Sequence, residues 1–183
     1  MHGDGLADIV GFYTNRVDVG LNASTPPQPT KPLRDAIHAN GNFTHSTSFT
    51  NAGGWNNENL YSRNLADVNG DGRADIVGFG SGAVYVSLGQ SDGTFTSPMT
   101  VLNDAFTYTY GWNETQYARR LADVNGDGRA DIIGFGGNVV YVALGQSNGG
   151  FGSMIAGLSG GACTNSYGWS DENVHSRHVA DVN

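Results

Sequence analysis

The chain has 183 residues, which is enough for one domain with a hydrophobic core, and 28 of them are Gly. Its net charge of −8 argues against nucleic acid as a partner, and no apolar run is long enough to span a membrane. The single cysteine, Cys163, excludes an internal disulfide framework, and we expect it to be a small buried residue rather than a catalytic thiol.

Three repeats make up the chain. Trp55, Trp112 and Trp169 follow one another at intervals of 57 residues, and the sequence around each is alike. We expect a first unit at 3–52, a second at 53–110, and a third at 111–183 that includes the start of a split unit completed by residues 3–21.

The first unit differs from the others by a long loop, predicted at 22–48. This range holds "TPPQPTKP", which contains four of the five prolines of the chain. Such a composition is typical of a surface loop between strands. The alternative is a loop that shapes one binding site differently from the others.

Short apolar runs follow in chain order within each unit. "DIVGFG" and "AVYVSLGQ" of the second unit return as "DIIGFG" and "VVYVALGQ" in the third. These runs are rich in β-branched and aromatic residues and bounded by turn residues, and the alternation in the second run places Val84, Val86 and Leu88 on one face. We therefore predict an all-β protein with about four strands per unit and essentially no helix. Propeller blades and a β-solenoid both fit, and the length of the unit favours blades.

Between the Trp stretch and the first apolar run lies an acidic loop, "DVNGDGRAD". Nine of the 17 acidic residues of the chain lie in three copies of this motif. Oxygen ligands at alternating positions, several of them carboxylates, fit Ca²⁺ better than Zn²⁺ or Mg²⁺. We predict three structural Ca²⁺ sites, with Arg73, Arg129 and Leu6 contributing backbone carbonyls. The predicted ligands are Asp67, Asn69, Asp71, Arg73 and Asp75; Asp123, Asn125, Asp127, Arg129 and Asp131; and Asp181, Asn183, Asp4, Leu6 and Asp8. The alternative is a set of Asp-rich turns without metal.

The motif order resembles that of a known family. "LADVNGDGRADIVGFGSGAVYVSLGQSDGTF" is similar to the FG-GAP/VCBS repeat of calcium-binding β-propellers, a group that includes integrin heads. With "GGW" and a following Arg, the pattern resembles most closely the Psathyrella velutina lectin-like family. The resemblance implies a seven-bladed propeller that binds N-acetylglucosamine- or fucose-type sugars in clefts between blades, with calcium in the acidic loops. This chain departs from it by holding three units.

Sugar recognition needs an aromatic face and fixed hydrogen-bonding groups, and the stretch after each Trp offers both. Tyr or His stands two residues before Arg in each unit, and we expect the two side chains to project from one face of an extended segment. The predicted sugar-binding residues are Trp55, Tyr61 and Arg63; Trp112, Tyr117 and Arg119; and Trp169, His175 and Arg177. The alternatives are that each Trp packs between blades and that each Arg ties one blade to the backbone of its neighbour.

Three functions compete. A multivalent lectin is favoured by the repeated Trp, Tyr/His and Arg pattern and by the resemblance. A calcium-stabilised propeller that binds another protein, as integrin heads do, is the alternative, and full burial of the three Trp would favour it. An enzyme is the weakest option, because the acids are periodic and no nucleophile motif is present.

The positions of the repeated motif also bear on assembly. The motif is split between "VADVN" at 179–183 and "GDGLADIV" at 3–10. An array of blades with open ends exposes unpaired strand edges. We therefore expect a closed head-to-tail homo-oligomer, with a dimer of six blades favoured over a trimer of nine.

Overall fold

The described part of the chain forms eleven strands in three antiparallel sheets. The structure, a computed structural model, describes residues 9–12, 17–20, 43–46, 48–159 and 163–180. No helix in these ranges is long and apolar enough to cross a membrane. The first sheet has the order β1-β2-β3, and its strands are β1 Ile9–Phe12, β2 Val17–Gly20 and β3 Phe43–Ser46.

The other two sheets have four strands each, in the sequence order of the chain. The second sheet consists of β4 Arg63–Ala66, β5 Asp75–Phe79, β6 Ala83–Ser87 and β7 Met99–Asn103. The third consists of β8 Arg119–Ala122, β9 Asp131–Phe135, β10 Val139–Ala143 and β11 Ile155–Ser159. The predicted all-β class with four-stranded units is therefore confirmed, and the only helical segments described are 3-10 turns of three residues at Asn51–Gly53, Tyr108–Tyr110 and Asn165–Tyr167.

Burial follows the sequence pattern of the strands. Every residue of β5 and β9 is buried, as expected for strands in the middle of a sheet in which only the first residue, an aspartate, is polar. In β6, Val84 and Val86 are fully buried and Leu88 packs against the same core, so the predicted apolar face is correct. The second and third sheets share this core, which includes Phe79 of β5 and Ile132 of β9.

One prediction about the first unit needs correction. Phe43–Ser46 lies within the loop predicted at 22–48, yet it forms strand β3 and pairs with β2. In the sequence "FTHS", Phe43 and Thr44 are residue types that favour a strand, but they do not alternate with polar residues, so the available signal was weak. Residues 22–42 lie outside the described ranges.

The connections between sheets carry the Trp residues and begin in the same way. Phe49, Phe106 and Cys163 occupy equivalent positions, and each has a positive φ, at 56°, 54° and 66°. This left-handed backbone is uncommon for residues other than Gly and turns the chain sharply into the 3-10 segment. Cys163 is partly buried and packs against the core of the third sheet.

Candidate functional site

Two clefts of similar size occur at equivalent places in the second and third sheets. The Trp55 cleft has a volume of about 510 Å³. Its aromatic lining consists of Phe49, Trp55, Tyr61 and Tyr85, and Ser48, Gly53, Gly54, Gly80, Ser81 and Pro98 complete it. Both aromatic and polar groups therefore face one open space, as in sites that hold small ligands.

The Trp112 cleft is the counterpart one repeat later, with a volume of about 430 Å³. Trp112, Tyr117, Tyr110 and Tyr141 give it an aromatic lining. The remaining lining residues are Asp104, Gly111, Gly136, Gly137 and Met154. Because Trp, Tyr and the turn glycines recur in both clefts, the fold builds one kind of site twice.

The tryptophan of each cleft is held by a cage of rings. Trp112 lies 5.2 Å from Phe106, 6.2 Å from Tyr117 and 6.0 Å from Tyr141, measured between ring centroids. Edge-to-face contacts of this kind fix a ring in place and leave part of its surface available. Trp112 retains 8% of its surface, whereas Trp55 and Trp169 are partly buried, so the three are not all fully buried.

A strand glycine supports each tryptophan from the sheet. A Cβ at Gly134 would lie 2.6 Å from the Trp112 ring, and a Cβ at Gly78 would lie 2.6 Å from the Trp55 ring. Only glycine allows the indole to approach the strand this closely. Tyr85 and Tyr141 lie opposite these glycines on the neighbouring strands β6 and β10. The pairing of each of these strands with the next shifts register immediately before the tyrosine, as at a β-bulge.

Arg119 lies inside the protein rather than in a cleft lining. Its side chain is 0% exposed, and its Nε donates to Glu114 Oε1 at 2.7 Å. Nη1 donates to the Phe106 carbonyl at 3.0 Å, and Nη2 donates to the carbonyls of Asn59 and Leu60, one repeat earlier. Burial lowers the pKa of Arg119, and the ion pair with Glu114 opposes that shift.

Arg177 makes the same kinds of contact, and Arg63 makes some of them, since it is paired with Glu58 and donates to the Phe49 carbonyl at 2.6 Å. Arg177, 2% exposed, is paired with Glu172 and donates to the Cys163 carbonyl and to the Gln116 carbonyl of the preceding repeat. Each arginine also stacks on a phenylalanine of the preceding sheet: Arg63 on Phe12, Arg119 on Phe79 and Arg177 on Phe135, at 4.8, 4.8 and 5.1 Å from the ring centroid. These contacts correspond to the blade-tie alternative, and sugar contact by the arginines stays a prediction.

The expectation that Tyr and Arg project from one face of an extended segment was wrong. Tyr117 closes a turn, since its N–H donates to the Asn113 carbonyl at 2.9 Å, and the strand begins only at Arg119. The turn directs Tyr117 to the cleft and Arg119 to the interior. A two-residue alternation therefore does not apply across this boundary.

The third tryptophan has fewer neighbours among the described residues. Trp169 lies 5.6 Å from His175, its only ring contact there, and His175 is exposed. Trp55 and Trp112, in contrast, each also contact a tyrosine of the following sheet. The described part of the chain thus contains two complete clefts and one partial arrangement.

The acidic loops are closed by hydrogen bonds from the backbone. Asp67 accepts from the N–H groups of Gly70 and Gly72, both at 2.7 Å, and Asp71 is paired with Arg73. The loop at 123–131 repeats this pattern, with Asp123 accepting from Gly126 at 2.7 Å and Gly128 at 2.8 Å. These amide contacts lower the pKa of Asp123.

The last aspartate of each loop is buried. Asp75 is 0% exposed and accepts from the N–H groups of Val68 at 2.9 Å and Gly89 at 2.8 Å. Burial raises the pKa of Asp75 to about 6, and the nearby charges of Asp71 and Asp67 add to the shift. Asp131 makes the equivalent bonds to Val124 and Gly145.

The acidic loops contain the kinds of oxygen ligand that calcium takes. Carboxylate, amide and carbonyl oxygens are the right donors. Among the described residues, however, no group of three or more His, Cys, Asp or Glu side chains is placed to hold a metal ion. Calcium ligation at 67–75 and 123–131 stays a prediction. The third predicted set, Asp181, Asn183, Asp4, Leu6 and Asp8, lies outside the described residues.

Some cleft residues were missed from the sequence. Tyr85 and Tyr141 line the clefts, and their recurrence in "VYV" on the side opposite the buried valines was the signal. Asp104 of the Trp112 cleft corresponds to Thr47 and Gly161 in the other repeats, so repetition alone could not indicate it, whereas Tyr110 returns as Tyr167 and could have been noticed.

Comparison with known proteins agrees with this geometry. Residues 67–114 match the family model of the FG-GAP-like repeat. The match covers the acidic loop, strands β5 to β7 and the connection that carries Trp112, so the resemblance expected from the sequence is confirmed for these residues.

A solved lectin has a similar structure. It is a lectin of Agrocybe aegerita, whose structure is described as the basis of specific recognition of non-reducing terminal N-acetylglucosamine. The two chains are 35% identical with a TM-score of 0.75, over 93% of this chain and 39% of that chain. The present chain thus spans about two fifths of the lectin's length.

A more distant structure shares the fold alone. The Tc holotoxin pore of Photorhabdus luminescens is 22% identical with a TM-score of 0.55, over 85% of this chain and 6% of that chain. No curated protein sequence matches this chain.

Proposed function

We propose that this chain is a carbohydrate-binding lectin that takes one small sugar in the Trp55 cleft and one in the Trp112 cleft. The observation that carries the proposal is the duplication of a cleft with a caged Trp, a Tyr on each side and polar groups at the opening. An aromatic face accepts the C–H surface of a pyranose, and clefts of this size hold one or two sugar rings.

N-acetylglucosamine is the first sugar to test, with fucose as the second. The similar Agrocybe aegerita structure supports this choice, because its description concerns terminal N-acetylglucosamine. The proposed activity is binding without catalysis. Two weak sites of one kind on one molecule would act together on a glycan-covered surface through avidity.

Calorimetric titration with N-acetylglucosamine tests the proposal. We expect binding by the wild type and a loss of roughly tenfold in affinity, about 1.4 kcal/mol, at one cleft for Tyr61→Ala and for Tyr117→Ala, since each loses an aromatic side of its cleft. Ser91→Ala, on an exposed turn outside both cleft linings, is the control and should bind as the wild type does. Absence of heat with N-acetylglucosamine, fucose and a panel of related sugars would overturn the proposal and favour a protein ligand.

Calcium belongs to the proposal as a structural ion. Its support is the sequence pattern, in which Asp and Asn oxygens recur at alternating positions of 67–75 and 123–131, the kind of ligand that calcium takes. Asp67 and Asn69 would help to hold the ion in the second unit, and Asp123 and Asn125 in the third. The ion would tie the loops to the sheets and would take no part in sugar binding.

A further inference from the structure

The third sheet exposes an apolar face that the second sheet hides. Val68 is fully buried, whereas Val124, its equivalent one repeat later, is 46% exposed. Leu102 packs against the core, whereas its equivalent Leu158 is 68% exposed. We call this surface the open face, and its members are Val124, Leu144, Ile155 and Leu158.

In the second repeat, residues of the third repeat cover the face that is equivalent to the open face. Val68 lies in a core that includes Ala130, Ile132 and Phe151, all from the third repeat. The loops also meet there, since Ala130 N–H donates to the Asp67 carbonyl at 2.7 Å. The open face continues this interface by one repeat, so the surface that fits it is another sheet of the same kind.

Within the ranges that the structure describes, no strand completes the first sheet in the way that β4 and β8 complete the other two. Arg63–Ala66 (β4) pairs with β5 and Arg119–Ala122 (β8) pairs with β9, whereas no described strand pairs with the free edge of β1. The matching sequence "RHVA" stands at 177–180 and forms no strand in the described structure. Residues 177–180 and the sheet β1-β2-β3 together contain the parts of one four-stranded unit.

A contact between residues 177–180 and the sheet β1-β2-β3 would also complete the surroundings of Trp169. Gly78 faces Tyr85 and Gly134 faces Tyr141 in the strand register, and these pairs support Trp55 and Trp112. In the first sheet the equivalent register pair is Gly11 and Asp18. Trp169 needs such a pair from the sheet that would follow it.

We propose that a second copy of this chain covers the open face with its first sheet, and that two copies close a ring in which each completes the Trp169 cleft of the other. Head-to-tail contacts of this type close when the rotation per unit allows it. The similar lectin is about 2.4 times as long as this chain, because 93% of this chain aligns with 39% of that one, and this length lies nearer to two copies than to three. In this shared cleft, Asp18 stands at the register position of Tyr85 and Tyr141, and His175 stands at the sequence position of Tyr61 and Tyr117. Only sugar binding by the shared cleft rests on the proposed function.

Light scattering coupled to size-exclusion chromatography of the full chain tests the ring across a dilution series. We expect the mass of two chains for the wild type and of one chain for Val124→Glu and for Leu158→Glu, because a charge on the open face cannot be buried unpaired. Ser91→Glu adds the same charge to an exposed turn of the second repeat and should keep the mass of two chains. Circular dichroism should show the wild-type spectrum for all three variants.

A wild-type mass of one or of three chains overturns the two-copy ring, as does a two-chain mass for both open-face variants. The wild-type mass decides the question even if a variant does not fold. The result is separable from the lectin proposal, since a two-chain mass without sugar binding would leave the ring intact and remove the lectin. A one-chain mass with sugar binding would do the reverse.

Discussion

The Trp112 cleft and the Arg119 cluster come from the same short stretch, residues 112–119, yet they have opposite environments. Tyr117 borders an open cleft, whereas Arg119 is fully buried with its donors on Glu114 and on carbonyls of two repeats. One repeated motif therefore has two roles. The aromatic residues form the candidate sugar site, and the arginine joins neighbouring repeats beneath it.

Removing the arginine should have the largest effect on stability. We expect Arg119→Ala to lower the free energy of unfolding by about 3–5 kcal/mol, because Glu114 and several carbonyls lose a buried partner. Arg120→Ala is the comparison, because its side chain is 27% exposed although it pairs with the same Glu114 and with Glu172, and we expect it to lose less than Arg119→Ala. Urea unfolding measures both. Equal losses in the two variants would break the distinction between interior and surface.

Thermal unfolding with and without calcium tests whether the acidic loops also contribute to the stability of the protein. If Ca²⁺ binds, an excess of 100 times Kd should raise the free energy of unfolding by about 2.7 kcal/mol. Thermal unfolding in CaCl2, in MgCl2 at equal ionic strength and in EDTA measures the effect. The same melting temperature in all three solutions would mean that the amide donors and Arg73 suffice to close the loop.

A smaller effect should come from the glycine under the tryptophan. Gly134→Ala places a Cβ 2.6 Å from the rings of Phe106 and Trp112, and we expect a loss of about 1–3 kcal/mol together with weaker sugar binding. Gly137→Ala, where no neighbouring atom lies within 4 Å, should be within about 0.5 kcal/mol of the wild type. Wild-type stability and affinity in Gly134→Ala would show that the indole is not held against the strand.

Much of the fold could be predicted because the repeat imposes it. The alternation in "AVYVSL" and the Gly-rich turns indicated the strands β6 and β10 and their buried faces. Strand β3 was missed because it follows a long insert that has no counterpart in the other units. A strand of four residues with two polar side chains gives little periodic signal of its own.

The candidate site was predicted less well than the fold. The sequence indicated Trp55, Tyr61 and their equivalents but could not separate them from the arginines, because side-chain direction changes where a turn becomes a strand. Tyr85 comes from a different part of the repeat and joins the cleft only through sheet register. Whether a carboxylate binds a metal or a backbone N–H is likewise set by loop geometry rather than by spacing.

The indole signals of the three tryptophans give the most direct test of the central claim that the clefts bind sugar. Trp55, Trp112 and Trp169 are the only tryptophans, so three Nε1–H resonances can be assigned with single Trp→Phe variants. During titration with N-acetylglucosamine the account predicts saturable shifts for Trp55 and Trp112, and for Trp169 only in the two-chain assembly. Indole signals of Trp55 and Trp112 that remain unchanged at high sugar concentration would contradict it.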